Sequence, residues 1–347
     1  MPRDPHPVSP APEFDRLVRI GGGGGGTVWS ARRHGETEAR FVIKQAEPGQ
    51  EAALRTEWLA LYDVPSPLLP DPVAWIDPAG AEPPALVMLR RPGEPLDRAL
   101  AHAGVAEVIA VVRQILRGLA ALHAANLIHG DLHPGNLLVE RSDEGIAVSL
   151  VDLGLVQTPG TTVRGPGRLA FAAPDRLRGA PADPRDDLFS LALSVWSSWG
   201  LPAPYADYPA LLPPPGRRPE VPAAGKDPEA AARGRVLEVL AGWLATDRDH
   251  RPEGAEPALR EWTALEATAD AEPLAPRPRG PPRARAVRRR GRGAAAVALV
   301  ARGSGVAPAR TRSDPLDRRT ARLRAHGRAG RRGRGGALGS VPEEIVG

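Results

Sequence analysis

The chain contains the motif His129-Gly130-Asp131-Leu132-His133-Pro134-Gly135-Asn136, which is followed later by Asp152-Leu153-Gly154. The runs 136–140 and 147–151 between these motifs are strand-like, and turn residues at 143–145 join them, which predicts a β-hairpin. Asn136 would stand before the first strand and Asp152 after the second, so that both side-chain oxygens lie at the open end of the hairpin. Such oxygens are ligands for Mg²⁺, and the Asp131 carboxylate can accept the proton of an attacking hydroxyl. The two motifs therefore predict a phosphoryl-transfer site.

A helix is expected directly before this loop. Residues 105–124 carry apolar side chains at helical spacing. These are Val108, Ile109, Val112, Ile115, Leu116, Leu119 and Leu122. The helix would lead the chain into the loop that holds Asp131. We interpret His129 as a structural histidine bonded to nearby backbone rather than as a catalytic base.

Six consecutive glycines, residues 21–26, stand between Ile20 and Thr27-Val28-Trp29. Gly21, Gly23 and Gly26 lack a Cβ, so backbone N–H groups there can approach phosphate oxygens closely. Val28, at the start of the returning strand, would cover the adenine ring. Six glycines alone would also suit a flexible linker, and it is the order and spacing of the later motifs that favours a nucleotide site.

Lys44, in the strand-like run 41–44, is one of only two lysines among 46 basic residues, the other being Lys226. A lysine kept in such an arginine-rich chain suits a compact, single-point contact to a phosphate oxygen. A buried ammonium needs a carboxylate partner. The amphipathic segment 51–63 offers two, and we predict Glu57 as the partner, with Glu51 as the alternative.

These motifs together resemble the protein kinase superfamily, and within it the bacterial relatives of the eukaryotic Ser/Thr protein kinases. The resemblance spans residues 14–267. It implies an α+β, two-lobed fold with a small antiparallel β-sheet lobe (about 14–91) and a mainly helical lobe (about 96–267). It also implies ATP and Mg²⁺, transfer of the γ-phosphate to Ser/Thr hydroxyls of proteins, and autophosphorylation.

The resemblance assigns roles to further residues. Lys44 would hold the phosphates, braced by Glu57, while Asn136 and Asp152 would bind metal. Met88 would guard the back of the adenine pocket, and Leu89 to Arg91 would be the hinge that bonds adenine. Ala173-Pro174-Asp175 is similar to the motif that closes the activation segment, which is the stretch between Asp152-Leu153-Gly154 and this motif. Arg251 would be the partner of Asp175. Asp187 would fix the catalytic loop from the central helix.

Four positions depart from that pattern. Gly130 stands where an arginine usually receives an activation-segment phosphate, so Thr161 and Thr162 are not expected to gate activity. His133 replaces a lysine, Arg168 replaces a threonine that touches the catalytic aspartate, and Gly25 replaces a bulky residue at the tip of the glycine loop. The alternatives are therefore an aminoglycoside- or choline-type small-molecule kinase and a non-catalytic pseudokinase scaffold.

Charge divides the chain into two parts. Residues 271–347 hold 19 arginines and 5 acidic residues, a net charge of +14, whereas residues 1–270 hold 27 basic and 36 acidic residues, a net charge of −9. We expect disorder at 1–13 and in the Arg/Gly/Ala/Pro-rich tail, 268–347. The tail would be solvated, contact anionic lipid or nucleic acid, or be a frame-shifted remnant of a membrane-anchored form.

Two classes of chemistry and one kind of anchor are excluded. The chain has no cysteine, which excludes disulfides and a thiol nucleophile. The apolar run 294–301 is far shorter than the roughly 20 residues that span a bilayer, so no transmembrane segment is expected. We find no signal peptide and expect a cytoplasmic protein.

Overall fold

A computed structural model describes residues 13–23, 26–77, 83–162, 167–223, 225 and 227–271. The expected N-terminal extension up to residue 12, and the basic tail after residue 271, lie outside the described residues. Gly25, Arg164 and Lys226 lie outside them as well.

The first part of the chain forms a five-stranded antiparallel sheet with one helix. The strands are β1 (Phe14–Gly23), β2 (Gly26–Arg33), β3 (Phe41–Gln45), β4 (Pro72–Ile76) and β5 (Ala85–Leu89), in the spatial order β1-β2-β3-β5-β4. Helix α1 (Glu51–Asp63) occupies the predicted amphipathic segment. The period-2 alternation of a strand explains the packing: Leu86 and Met88 belong to the core shared with α1, whereas Ala85 and Val87 belong to a second core with Phe14.

Gly26 allows the start of β2 to lie close to the end of β3. Its φ is +138°, and a Cβ there would lie 2.4 Å from the backbone oxygen of Gln45. Only glycine fits this close approach without displacing backbone.

The second part of the chain is mainly helical. Its elements are β6 (Glu94–Pro95), α2 (Leu96–Leu100), α3 (Val105–Ala124), β7 (Leu137–Ser142), β8 (Gly145–Leu150), α4 (Pro174–Leu177), α5 (Pro184–Ser198), α6 (Pro228–Trp243) and α7 (Ala255–Ala271). The predicted helix and the predicted hairpin are thus confirmed as α3 and as β7 with β8. Helix α7 continues four residues past the expected domain boundary at Ala267.

The helical lobe packs around α5, whose residues are almost all buried. Buried indoles join distant segments: the Trp262 Nε1–H donates to the backbone oxygen of Ile109 at 3.0 Å, and Trp262 packs against Trp243 with ring centroids 5.3 Å apart. Helix α7 is thereby fixed to α3, the helix that leads into the Asp131 loop.

The expected ion pair between Asp175 and Arg251 is present. Arg251 Nη2 lies 2.7 Å from Asp175 Oδ2, with the Arg251 side chain fully buried and that of Asp175 20% exposed. Arg251 Nε also donates to the backbone oxygen of Ala245 at 2.8 Å. The pair therefore joins α4, at the end of the activation segment, to the loop before α7.

We expect Arg251→Ala to lower the free energy of unfolding by about 3 kcal/mol, near the lower end for a broken buried ion pair because water reaches Asp175. For a domain of this size the melting temperature should fall by roughly 6–12 °C. Calorimetry checks this, with Arg260→Ala as the control, since Arg260 pairs with Glu256 on the surface of α7. Equal melting of Arg251→Ala and the wild type would contradict the prediction.

Candidate active site

Lys44 lies on β3 between two carboxylates. Its Nζ is 2.7 Å from Glu57 Oε2 on α1 and 2.6 Å from Asp152 Oδ1 after β8. The backbone N–H of Leu153 donates to the other oxygen of Glu57 at 3.2 Å. Glu57 is thus the partner of Lys44, while the alternative, Glu51, is exposed and accepts a hydrogen bond from Gly49 at the start of α1.

Burial and charge oppose each other in this cluster. Burial alone would lower the pKa of Lys44, but the negative charges of Glu57 and Asp152 outweigh it and raise that pKa above its usual value. Burial raises the pKa of Glu57, partly offset by Lys44. Burial also acts to raise the pKa of Asp152, yet Lys44 brings it below its usual value. Asp152 is held as an anion beside a permanent cation.

The loop around Asp131 is fixed from below by Asp187 of α5. This fully buried carboxylate accepts the backbone N–H groups of His129 at 2.8 Å and Gly130 at 3.0 Å. It also accepts His123 Nε2–H at 3.0 Å, while His123 Nδ1 accepts the backbone N–H of Ala255. The buried carboxylate therefore joins the loop to helices α3, α5 and α7.

Asp131 itself faces the activation segment. Its Oδ1 accepts the backbone N–H of Arg168 at 2.8 Å. Its backbone oxygen accepts the Asn136 side-chain amide at 3.0 Å, which leaves the Asn136 Oδ1 without a partner among the described residues. His129 is fully buried and its Nδ1 accepts the Asp131 N–H at 3.4 Å, in agreement with the expected structural role.

The donor set fits Mg²⁺ bound together with a nucleotide. Asp152 Oδ1 accepts Lys44 and the Gly154 N–H, whereas Oδ2 has no partner among the described residues. Within the described residues no three His, Cys, Asp or Glu side chains cluster as a metal site of their own. One carboxylate and one amide oxygen, completed by phosphate and water, is the arrangement that Mg²⁺ commonly takes with nucleotides.

The predicted nucleotide residues of β1 and β2 are linked to Lys44 by strand pairing. Gly21 pairs with Val28, and Gly23 with Gly26, where β1 meets β2. Val28 in turn pairs with Lys44. These pairings place the glycine segment and Val28 beside the lysine.

Met88 is buried on β5, where it pairs with Val42 of β3, the strand that carries Lys44. The Leu89 N–H donates to Asp71, and the Arg91 guanidinium bonds Leu69 and Asp71. The Arg91 side chain is therefore engaged with the segment before β4, and only its backbone is available to a base.

Several contacts of this site were not foreseen. Sequence reasoning did not identify His123, whose signal would have been a histidine at the end of α3. It also missed Gln157, whose backbone pairs with Ile128 just before the Asp131 loop. At Arg168 it expected only a changed side chain, whereas the backbone N–H of this residue donates to Asp131. A Cβ on Gly154 would lie 3.1 Å from both Lys44 Nζ and Asp152 Oδ1, a tight contact that would press on the ends of these two side chains.

The two-lobed fold carries Lys44 on the sheet of the first lobe and Asp131, Asn136 and Asp152 in the loops around β7 and β8 of the second, which is the arrangement of the protein kinase class. The chain belongs to the protein kinase domain family, which matches residues 14–207. The resemblance and the two-lobed fold expected from the sequence are thus confirmed.

Individual relatives agree with that family. The chain is 42% identical over 94 residues to the serine/threonine-protein kinase PknL of Mycobacterium tuberculosis, covering 26% of this chain and 23% of PknL. It is 30% identical over 174 residues to the probable serine/threonine-protein kinase pknA2 of Bifidobacterium longum, covering 47% of this chain and 22% of pknA2. The matches span less than a quarter of these relatives.

A solved structure shows the same fold. The Cydia pomonella granulovirus kinase PK-1 superposes with a TM-score of 0.59 at 17% identity, covering 72% of this chain and 93% of that one. No helix among the described residues is long and apolar enough to cross a membrane.

Proposed function

We propose that the chain transfers the γ-phosphate of ATP to Ser/Thr hydroxyls of proteins, its own included, with Mg²⁺ held by Asn136 and Asp152. The observation that carries the proposal is the contact of Lys44 with both Glu57 and Asp152, because a cation held beside a carboxylate would let the phosphates and their metal ion be bound at one place. Asp131 would orient the acceptor hydroxyl and take its proton.

Each part of the site has one role in this mechanism. Lys44 would bind the α- and β-phosphates, and Glu57 would hold it in place. Gly21, Gly23 and Gly26 would present backbone N–H groups to the phosphates. Val28, Met88 and the backbone of Leu89 and Arg91 would enclose the adenine ring. When bound, Mg²⁺ supplies positive charge to the phosphate oxygens.

The two alternatives find less support. A small-molecule kinase agrees with Gly130 and His133, but Asp175 is paired with Arg251 and Asp187 holds the loop, as the protein kinase motifs imply. A pseudokinase scaffold agrees only with Gly25 and Arg168. Every side chain that catalysis requires is present.

Purified full-length chain, incubated with labelled ATP and Mg²⁺, tests the proposal. Acceptors would be the chain itself, a generic protein such as casein, and in separate tubes an aminoglycoside and choline. Label on serine or threonine of protein is the expected result. Label only on a small molecule would favour the alternative, and no label with any acceptor would favour the scaffold.

The activation segment is held by neutral hydrogen bonds. The backbone of Gln157 pairs with Ile128 in both directions, at 2.8 and 3.1 Å. The Thr161 hydroxyl donates to the backbone oxygen of Thr158 at 2.7 Å, with Gln157 Oε1 farther away at 3.3 Å. The Thr161 carbonyl accepts the Ala182 N–H at 2.9 Å. A Cβ on Gly130 would lie 2.8 Å from Gln157 Nε2, so the glutamine side chain lies close against Gly130, where the arginine of similar kinases would begin.

We therefore expect Thr161→Ala/Thr162→Ala to keep most of its rate, within about threefold, because a phosphate without a cationic partner has little preference for the ordered segment. Initial rates of the double variant and of phosphatase-treated wild type are the measurement. If both are inactive, a nearby arginine, Arg164 or Arg168, binds an obligatory phosphate.

Two further proposals concern the basic tail and the cellular location of the chain. Contact of the basic tail with anionic lipid or nucleic acid is supported only by its 19 arginines. A cytoplasmic location is consistent with a need for ATP.

A further inference from the structure

The activation segment brings a cation to the catalytic aspartate. The backbone of Arg168 bonds Asp131 Oδ1, and a Cβ on the preceding Gly167 would lie 2.4 Å from the same oxygen. Glycine therefore permits the segment to run directly against the carboxylate. Arg168 is exposed, and its guanidinium forms no hydrogen bond or ion pair with any residue that the structure describes.

The residue two positions after Asp131 carries no charge. His133 Nδ1 accepts the backbone N–H of Gly135 at 3.1 Å, so this nitrogen holds no proton and the ring is neutral. The ring is buried against Phe171, with Nε2 3.9 Å from Asp131 Oδ2. Burial lowers the pKa of His133, the charge of Asp131 opposes this, and the charge of Arg168 lowers it further. His133 is therefore neutral beside Asp131 and brings no positive charge to the acceptor side.

Lys44, the cation on β3, is already paired with carboxylates. Lys44 Nζ bonds Glu57 and Asp152, on the metal side of the site. Charge that develops on the transferred phosphoryl group next to Asp131 needs a donor on the acceptor side. Among the described residues, Arg168 is the cation bonded through its backbone to Asp131.

We propose that Arg168 supplies to the transferred phosphoryl group the positive charge that a lysine at position 133 would bring, so that the departures at 133 and 168 compensate each other. The inference rests on the proposed function. The acceptor oxygen forms its bond to the γ-phosphorus as the bond to the bridging oxygen breaks, ADP leaves with the electron pair, and the hydroxyl proton goes to Asp131. Arg168 forms no covalent bond.

The test exchanges the two charges. Full-length wild type, Arg168→Thr, Arg168→Lys and His133→Lys/Arg168→Thr are compared for kcat and for both KM values. Arg168→Thr should lose on the order of tenfold or more in kcat with little change in the KM for ATP. Arg168→Lys should lose less, and the double variant should recover to within about threefold of the wild type. Arg218→Thr, at an exposed loop arginine, is the matched control.

Recovery in the double variant separates a catalytic charge from a structural role, since restoring a lysine at 133 repairs no contact of Arg168. A double variant as slow as Arg168→Thr overturns the inference, as does a loss confined to the KM for the acceptor, which would assign Arg168 to acceptor binding. If Arg168→Thr does not fold, as judged by its melting curve, Arg168→Gln takes its place, alone and together with His133→Lys, and an Arg168→Gln variant with the kcat of the wild type overturns the inference.

These failures differ from failure of the proposed function. A wild type that labels no hydroxyl acceptor refutes both. An active wild type matched by Arg168→Thr refutes only the role of Arg168.

Discussion

Asp131→Asn should lower kcat by about 10²- to 10⁴-fold, the range for loss of a general base that also orients the nucleophile. The amide keeps the shape of the side chain and can still accept the Arg168 N–H at Oδ1. It cannot take the hydroxyl proton. Folding and ATP affinity should therefore remain close to those of the wild type, because Asp187 and not Asp131 fixes the loop.

Steady-state rates with a protein acceptor, together with ATP binding by calorimetry, provide the measurement. Asp143→Asn is the matched control, since Asp143 is an exposed residue of the hairpin turn. Undiminished transfer by Asp131→Asn would remove Asp131 from the mechanism. Loss of ATP binding in step with rate would instead mean that the substitution disturbs the whole cleft.

Lys44→Ala should cost on the order of 10²–10³ in kcat by removing a preorganised charge. It also leaves the Glu57 and Asp152 carboxylates without their shared cation, and Glu57 is 1% exposed. An uncompensated buried carboxylate takes up a proton or draws in water. We therefore expect this variant, unlike Asp131→Asn, to lose thermal stability as well as rate.

Lys44→Ala/Glu57→Gln separates the two effects. It removes the buried charge along with the cation, so it should regain melting temperature without regaining rate. Lys226→Ala, at the only other lysine, is the control for the assay. A Lys44→Ala enzyme with wild-type kcat would refute the phosphate-binding role.

Local patterns were sufficient to predict much of the fold. The apolar spacing of residues 105–124 matched α3 at both ends, and the hairpin β7–β8 followed from two short strand-like runs around a turn. Glu57 was chosen over Glu51 because Leu61 and the Pro65-Ser66-Pro67 break fall where the corresponding helix of protein kinases usually ends after its glutamate. The structure brings Glu57 to Lys44.

Contacts between distant residues were harder to predict. The Ala255 N–H bonds His123 across 132 positions, and nothing in the local sequence pairs a backbone group with a side chain so far away. Likewise, the arginine at position 168 indicated that the threonine hydroxyl of similar kinases is missing. It did not indicate that the backbone N–H of Arg168 would donate to Asp131 instead. A backbone group can replace a side chain in this way only if the chain passes close to Asp131. Gly167 permits this close approach because it has no Cβ, and a single glycine forms no recognisable sequence pattern.

The burial of Lys44 between two carboxylates also governs how the chain reacts with amine-modifying reagents. These reagents attack the neutral amine, and a raised pKa together with a side chain 6% exposed keeps Lys44 protonated and shielded at neutral pH. Because the chain has only two lysines, label on Lys44 can be followed with little interference from other side chains. Such label would report the fraction of molecules in which Nζ has left both Glu57 and Asp152, a chemical readout that needs neither a nucleotide nor a substrate.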